Sequence, residues 1–527
     1  MNNMNSTKRW RECAGIVLAG LAMSVGWGFR GDYGHEAGAM VPGALLGLAI
    51  CLGSGREDWL KRSAIIGMCG AIGWAFGGQM SYGRIIGYTA SCSLPNVAYG
   101  YGCLFIVGGL WAGIGCGLLA MSLTQPGSYL ERFVGPLAAL LAVWVAMHLT
   151  GLTQILVERW YLHDTDWVGA SSAVIVAILY GLALPRTRPA CVLIGILAGS
   201  WWAGYLLLTV ALDLHMTPPR SDNWSGCTGL FVGLIVYLVR RRDRAATTMM
   251  AWGFLSGGIG FVVGDFVNML GRAQWGPIGH FGSLQGLDYW KWMEQLFGLI
   301  MGLGVARAFL RIMQPRLVKM AKDRPQRWLE TGALFFLLVL MFWANLHKNV
   351  KSWKSGDYVP DLLLGMDVEY GFLIIAVMLS AIPILAIVRH HRKRLSIAPG
   401  TDYGKAQLLF LTILWVAIIG ALLQVFPRIS DKAVLFVHFT FWVTGAACSI
   451  IALCLPASPG PRQMGTQSPP DGTWRLGKKY WACCVLISIL VLLLSYLTVL
   501  SHNEDLPGSH LRFSPRSDVP AHPNGTK

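Results

Sequence analysis

The stretch GWGFRGDYGHEAGAM (26–40) sets Arg30, Asp32, His35 and Glu36 within seven positions, between two apolar runs. These residue types support three kinds of chemistry. An arginine beside glycine-loosened backbone amides suits an anion. A histidine or a carboxylate accepts and releases protons, and a carboxylate also holds a cation. Asp32, His35 and Glu36 are therefore candidates for proton or cation chemistry, and Arg30 for anion contact. In lipid each such group costs ~2.5 to 3.5 kcal/mol at a helix centre, so it faces protein or water and marks function.

Three more segments have the same character. GGQMSYGR (77–84) supplies Gln79, Tyr82 and Arg84, and LDLHMTPPRSDNW (212–224) supplies Asp213, His215, Arg220 and Asp222. The stretch 264–294 supplies Asp265, Asn268, Arg272, Lys291 and Glu294. The binding candidates are Arg30, Gln79, Arg84, Arg220, Asn268 and Arg272; Asp265 joins Asp32, His35 and Glu36 as a candidate catalytic or coupling group. Each has a structural alternative. Arg30 can pair with Asp32 or Glu36 to fix packing, and Asp265 and Asn268, three apart on one helix face, can bond across to neighbouring helices. Arg84 and Arg272 can reach for headgroups, and Trp275, Tyr289, Trp290 and Trp292 can form an interfacial belt.

The elements that position these groups follow from hydropathy. Of the 527 residues, 54% are hydrophobic and only 13% charged, against ~25% charged in a soluble domain. About fifteen apolar runs approach the ~20 residues needed to cross a bilayer, near 13–29, 37–54, 63–80, 97–121, 133–156, 167–184, 190–212, 224–239, 247–270, 292–310, 331–346, 370–388, 406–426, 433–455 and 481–500. An all-α polytopic membrane protein is predicted, with the lipid bilayer as its first partner. The net charge of +16 does not indicate nucleic acid, because Lys and Arg concentrate in alternate loops. That bias places the N-terminus in the cytoplasm and, with fifteen spans, the C-terminus outside, in a bacterial inner (plasma) membrane. A cleavable leader over residues 8–39, ending at Ala37-Gly38-Ala39, is the competing reading of the first run.

The chain has no GxxxxGK[ST] phosphate loop and no HExxH, so neither a cofactor nor a metal is expected. Its twelve cysteines contain no CxxC and mostly fall within apolar runs, as packing residues do; Cys92 and Cys103 are the one candidate disulfide.

Internal similarity sets the organisation. GWGFRG (26–31) recurs as GWAFGG (73–78), and a Gly-x-x-x-Gly pattern closes on an aliphatic residue at GALLGL (43–48), GLWAGI (109–114), GLFVGL (229–234) and GLIMGL (298–303). Such glycine pairs let helix backbones approach closely. The near-equal spacing within the first and last two copies suggests a parallel duplication of six-helix units, 1–186 and 187–389. An appended three-helix unit (390–501) follows, with a Pro/Gly-rich linker near 456–480, and 502–527 reads as a disordered polar tail.

In plan this resembles the six-plus-six arrangement of the major facilitator transporters, although LGSGREDWLKR (52–62) does not carry their basic-acidic loop signature. GDFVNMLGR (264–272) resembles the Asn-Phe-x-Asn stretch of prolipoprotein diacylglyceryl transferases, with Asp265 where their first Asn stands. Together the residues lead us to expect a permease for a small polar, anionic solute with an outward-facing vestibule. The alternative is a membrane-embedded transferase or hydrolase acting at the outer leaflet on a lipid-linked or envelope substrate.

Overall fold

The structure is a computed structural model describing residues 2–158, 165–216, 222–317, 327–347, 350–357, 359–393, 400–425, 428–456 and 476–513. Its principal helices are α1 (Asn2–Arg30), α2 (His35–Ser54), α3 (Ser63–Gly77), α4 (Gly83–Thr89), α5 (Leu94–Thr124), α6 (Val134–Leu149), α7 (Thr165–Ala183) and α8 (Arg188–Gly204). The second half adds α9 (Asn223–Arg240), α10 (Arg244–Arg272), α11 (Tyr289–Ala308), α12 (Arg327–Phe335), α13 (Val368–His391), α14 (Thr401–Val425), α15 (Lys432–Cys454) and α16 (Lys478–Ser501). A two-residue hairpin, Leu362–Leu363 with Met366–Asp367, precedes α13.

The fifteen apolar runs fall on helical segments, and among the described residues 13 helices are long and apolar enough to cross a membrane. The chain is thus an all-α protein of the polytopic membrane class. Two runs fall short of that measure. Helix α3 has only 15 residues, and α9 dilutes its apolar centre with Asn223, Trp224 and Arg240 at its ends. Large apolar side chains such as Leu179 and Leu182 on α7 and Leu486 and Leu492 on α16 stay exposed, as lipid-facing surfaces require.

Helices α1, α2, α3, α5, α10 and α11 pack into the central bundle, and α6, α7 and α8 form a smaller apolar cluster around Leu140, Ala173 and Cys191. Small residues let the central backbones touch. A Cβ on Gly43 would lie 2.3 Å from the Gly70 carbonyl oxygen, and one on Gly257 would lie 2.1 Å from that of Gly108. The four Gly-x-x-x-Gly copies meet different partners: α3 for Gly43, Phe254 of α10 for Gly109, α8 for Gly229 and α1 for Gly298. The pattern therefore encodes close approach at each place. Helices α10 and α11 pack directly on α5 and α1, so residues on either side of the 186/187 boundary share one core.

Gly43→Ala is expected to cost about 1 to 3 kcal/mol, since neither helix backbone can yield locally. The thermal midpoint of the detergent-purified variant measures this, and a stability equal to wild type would mean that the α2–α3 seam is looser than drawn.

Candidate functional site

Helix α1 ends at Arg30, a single 3-10 turn spans Gly31–Tyr33, and Gly34 takes φ +92° before α2 begins at His35. A side chain rarely adopts that φ, so glycine makes the reversal possible. The turn directs Arg30 and Asp32 toward α11. Arg30 is 1% exposed and enclosed by three rings, its guanidinium carbon 5.0 Å from the Trp27 centroid, 5.2 Å from Trp111 and 5.4 Å from Tyr82. A cation over ring faces gains where water is excluded.

One Arg30 nitrogen donates to the Tyr82 oxygen and to Glu294 Oε1 at 3.4 Å, and the Tyr82 hydroxyl donates to the same Oε1 at 2.5 Å. One turn earlier on α11, Lys291 Nζ lies 2.8 Å from Asp32 Oδ1 and donates to the Gly28 carbonyl at 2.9 Å. Two cations thus face two carboxylates, and the charges cancel inside the bundle. The sequence offered Asp32 or Glu36 as the partner of Arg30. The partner is Glu294 instead, because the 3-10 turn gives Asp32 to Lys291 and leaves Glu36 exposed at the start of α2. His35 is exposed beside it.

A second polar group lies on α10. Asp265 is fully buried; Thr89 Oγ1 donates to its Oδ2 at 2.6 Å, and Asn268 Nδ2 donates to its Oδ1 at 3.1 Å. The Asp265–Asn268 bond is made along one helix face, and Thr89 supplies the bond to a neighbour. Asn268 also lines a cavity of about 510 Å³, together with Arg272, Asp288, Trp290, Gly87 and Gly508. Trp290 stacks on Tyr82, with centroids 5.8 Å apart and planes at 22°. Trp290 on the cavity wall therefore contacts the Arg30–Glu294 network through Tyr82.

The cavity has an unexpected wall. The sequence reads 502–527 as a disordered tail, but residues 502–513 form a strap across the ends of α4 and α5. Leu506 N donates to Ala90 O at 2.9 Å and His510 N to Gly87 O at 2.8 Å. Asn96, fully buried on α5, accepts from the amides of Arg512 and Phe513 at 2.7 and 2.8 Å and donates to the Phe513 carbonyl at 3.0 Å. Arg272 donates to the Pro507 carbonyl. Strap docking rests on backbone groups, which a polar composition does not reveal. Residues 514–527 lie outside the described residues.

The strap positions two titratable groups whose surroundings shift them. Asp505 Oδ1 accepts the Cys92 amide at 2.7 Å, which holds its carboxyl below the usual range. Burial, and then the nearby Arg84, push His510 below the usual histidine value.

The other candidates lie apart from this centre. Gln79 accepts from Trp201 Nε1 at 2.9 Å and so ties α3 to α8. Arg84 is half-buried, with its Nε unbonded. His215 forms its own group, 2.6 Å from Asp222 and 3.0 Å from Asp213, and these carboxylates raise its pKa. Arg220 lies outside the described residues. Cys92 and Cys103 are both free thiols, the first exposed and the second buried. Among the described residues, no three of His, Cys, Asp and Glu converge as metal ligands would.

Tyr82, Lys291 and Glu294 were visible in the polar segments, but their convergence on Arg30 was not. Thr89, Asn96 and Trp111 gave only the signal of isolated polar or aromatic residues in apolar surroundings. Chemically, the cavity presents a cation, a carboxylate, two amides and aromatic faces, with no serine, cysteine, histidine or lysine on its wall. Comparison of the chain with protein-family models, with curated proteins and with solved structures gives no match.

Proposed function

We propose that this chain is a permease for a small polar, anionic solute. The supporting observation is the cavity, whose described wall carries binding groups and no serine, cysteine, histidine or lysine, and whose Asn268 bonds the buried Asp265. Asp288, the one acid on its wall, already caps α11 by accepting from Lys291 N at 3.1 Å. Arg272 and Asn268 then contact the solute, and Asp265, which is bonded by neutral donors, takes and gives the coupling proton. An inner-membrane setting with the cavity facing outward, and descent of the two six-helix units from a parallel duplication, belong to the same reading.

The test is uptake into proteoliposomes of a panel of phosphate, sulfate, lactate, succinate and glutamate under an imposed pH gradient. At least one anion is expected to accumulate. Asp265→Asn should abolish dependence on the gradient, and Arg272→Gln should raise the half-saturating concentration by about tenfold, the loss of one charge-assisted bond. Chemical conversion of a supplied lipid-linked substrate, without uptake, would favour the second reading, an outer-leaflet transferase or hydrolase. That reading draws on the position of the cavity at the helix ends, near exposed Trp275, Phe281 and Trp290.

A further inference from the structure

A second cavity of about 540 Å³ lies at the other end of α10 and α11, where α16 begins. Arg307, Arg311, Arg316, Lys478 and Lys479 line it, and no carboxylate does. Arg311 donates to Cys13 Sγ at 3.1 Å; among the described residues none of the five cations forms an ion pair. Five like charges around one space repel one another, so positive potential concentrates there that none of the described residues neutralises.

Two local features sharpen this. The start of α16 has no side-chain cap and no acidic residue in its first turn, and instead places Lys478 and Lys479 where the helix dipole favours an anion. Helix α11 is followed by a π-helical turn at Phe309–Met313, which starts two residues past Arg307, and Arg307 and Arg311 both line the cavity. The remaining wall includes Trp252, Ile312 and Leu476, which an inorganic ion cannot use.

We propose that this cavity binds an anionic glycerophospholipid, with its phosphate among the arginines and lysines and its glycerol and upper acyl carbons against Trp252 and Ile312. Each basic residue near an anionic lipid surface favours binding about fivefold, enough for several together to select charge strongly. The site lies at the end of the bundle opposite the solute cavity and does not depend on what that cavity carries.

Native mass spectrometry of the purified full chain, titrated with phosphatidylglycerol or phosphatidylcholine, tests it. Wild type is expected to prefer phosphatidylglycerol by about tenfold or more, and the fourfold variant Arg307→Gln, Arg311→Gln, Lys478→Gln, Lys479→Gln should lose that preference. Equal binding of the two lipids, or a preference that survives in the variant, overturns the proposal. Displacement of the lipid by inorganic phosphate at equal concentration also overturns it, since the site would then belong to the free anion. A photoactivatable phosphatidylglycerol on the wild-type chain gives a test independent of the variant's folding. Crosslinks within 307–316 and 476–480 support the site, and crosslinks spread over other apolar surfaces overturn it.

Discussion

Glu294→Gln is expected to destabilise the folded chain by about 3 to 5 kcal/mol, because it strips a buried cation of its counter-charge. Glu294 is 3% exposed; it accepts from Arg30 and Tyr82 through one oxygen and lies 3.9 Å from Lys291 through the other. The glutamine keeps the shape and an acceptor for Tyr82 but leaves Arg30 charged inside a ring of Trp27, Tyr82 and Trp111. Replacing both partners, Arg30→Met with Glu294→Met, removes both charges together and is expected to recover most of the loss, since an apolar pair often matches a buried ion pair in stability. Lys291 and Asp32 stay matched in the double variant. Chemical unfolding in mild detergent measures all three chains. Equal losses in the single and double variants would show that shape, and not charge balance, holds α1 to α11.

Undocking of the strap is the second large effect. Asn96→Leu deletes three hydrogen bonds to Arg512 and Phe513, each contributing about 1 kcal/mol net, so docking should weaken by about 3 kcal/mol. Limited proteolysis within 502–513, normalised to a free peptide of that sequence, reports the change. Acid should act in the same direction. The docked His510 has a depressed pKa, so both states are neutral above the ordinary histidine value of ~6.5; below it, protonation favours the undocked strap. Asp505, also depressed, contributes stability above the ordinary carboxyl value of ~3.9 that is lost as pH falls through its docked value. Docking is thus tightest at neutral pH and loosens in steps on acidification. Cleavage that does not rise between neutral and mildly acidic pH would remove His510 from this account.

The helices were legible because a bilayer demands long apolar runs; the fifteen runs lie on helical segments, of which 13 among the described residues are long and apolar enough to span. The break at RGDYGHE was legible from its glycines, and the shared face of Asp265 and Asn268 from helical spacing, though the bond between the two was not. The rest needed the folded chain. Glu294 is 264 residues from Arg30, and no local pattern links them. Gln79, grouped by sequence with the polar vestibule, spends its oxygen on Trp201 because α8 packs there. The strap was hidden for a different reason: its hydrogen bonds run largely through main-chain amides and carbonyls, which every sequence supplies.

Helix α10 has one further consequence. It has 29 residues, about 43 Å of continuous helix, and its two ends border the two cavities. Between them Gly253 and Gly257 lie against α5, and Gly260 and Gly264 against the backbone of α11. Large rings fit between these small residues: Phe254 packs on Gly109, and Phe261 stacks on Phe297 with centroids 4.4 Å apart, so α10 is interlocked with both neighbours. A helix held along its whole length in this way is a stiff rod, so its border with one cavity cannot shift without moving its border with the other.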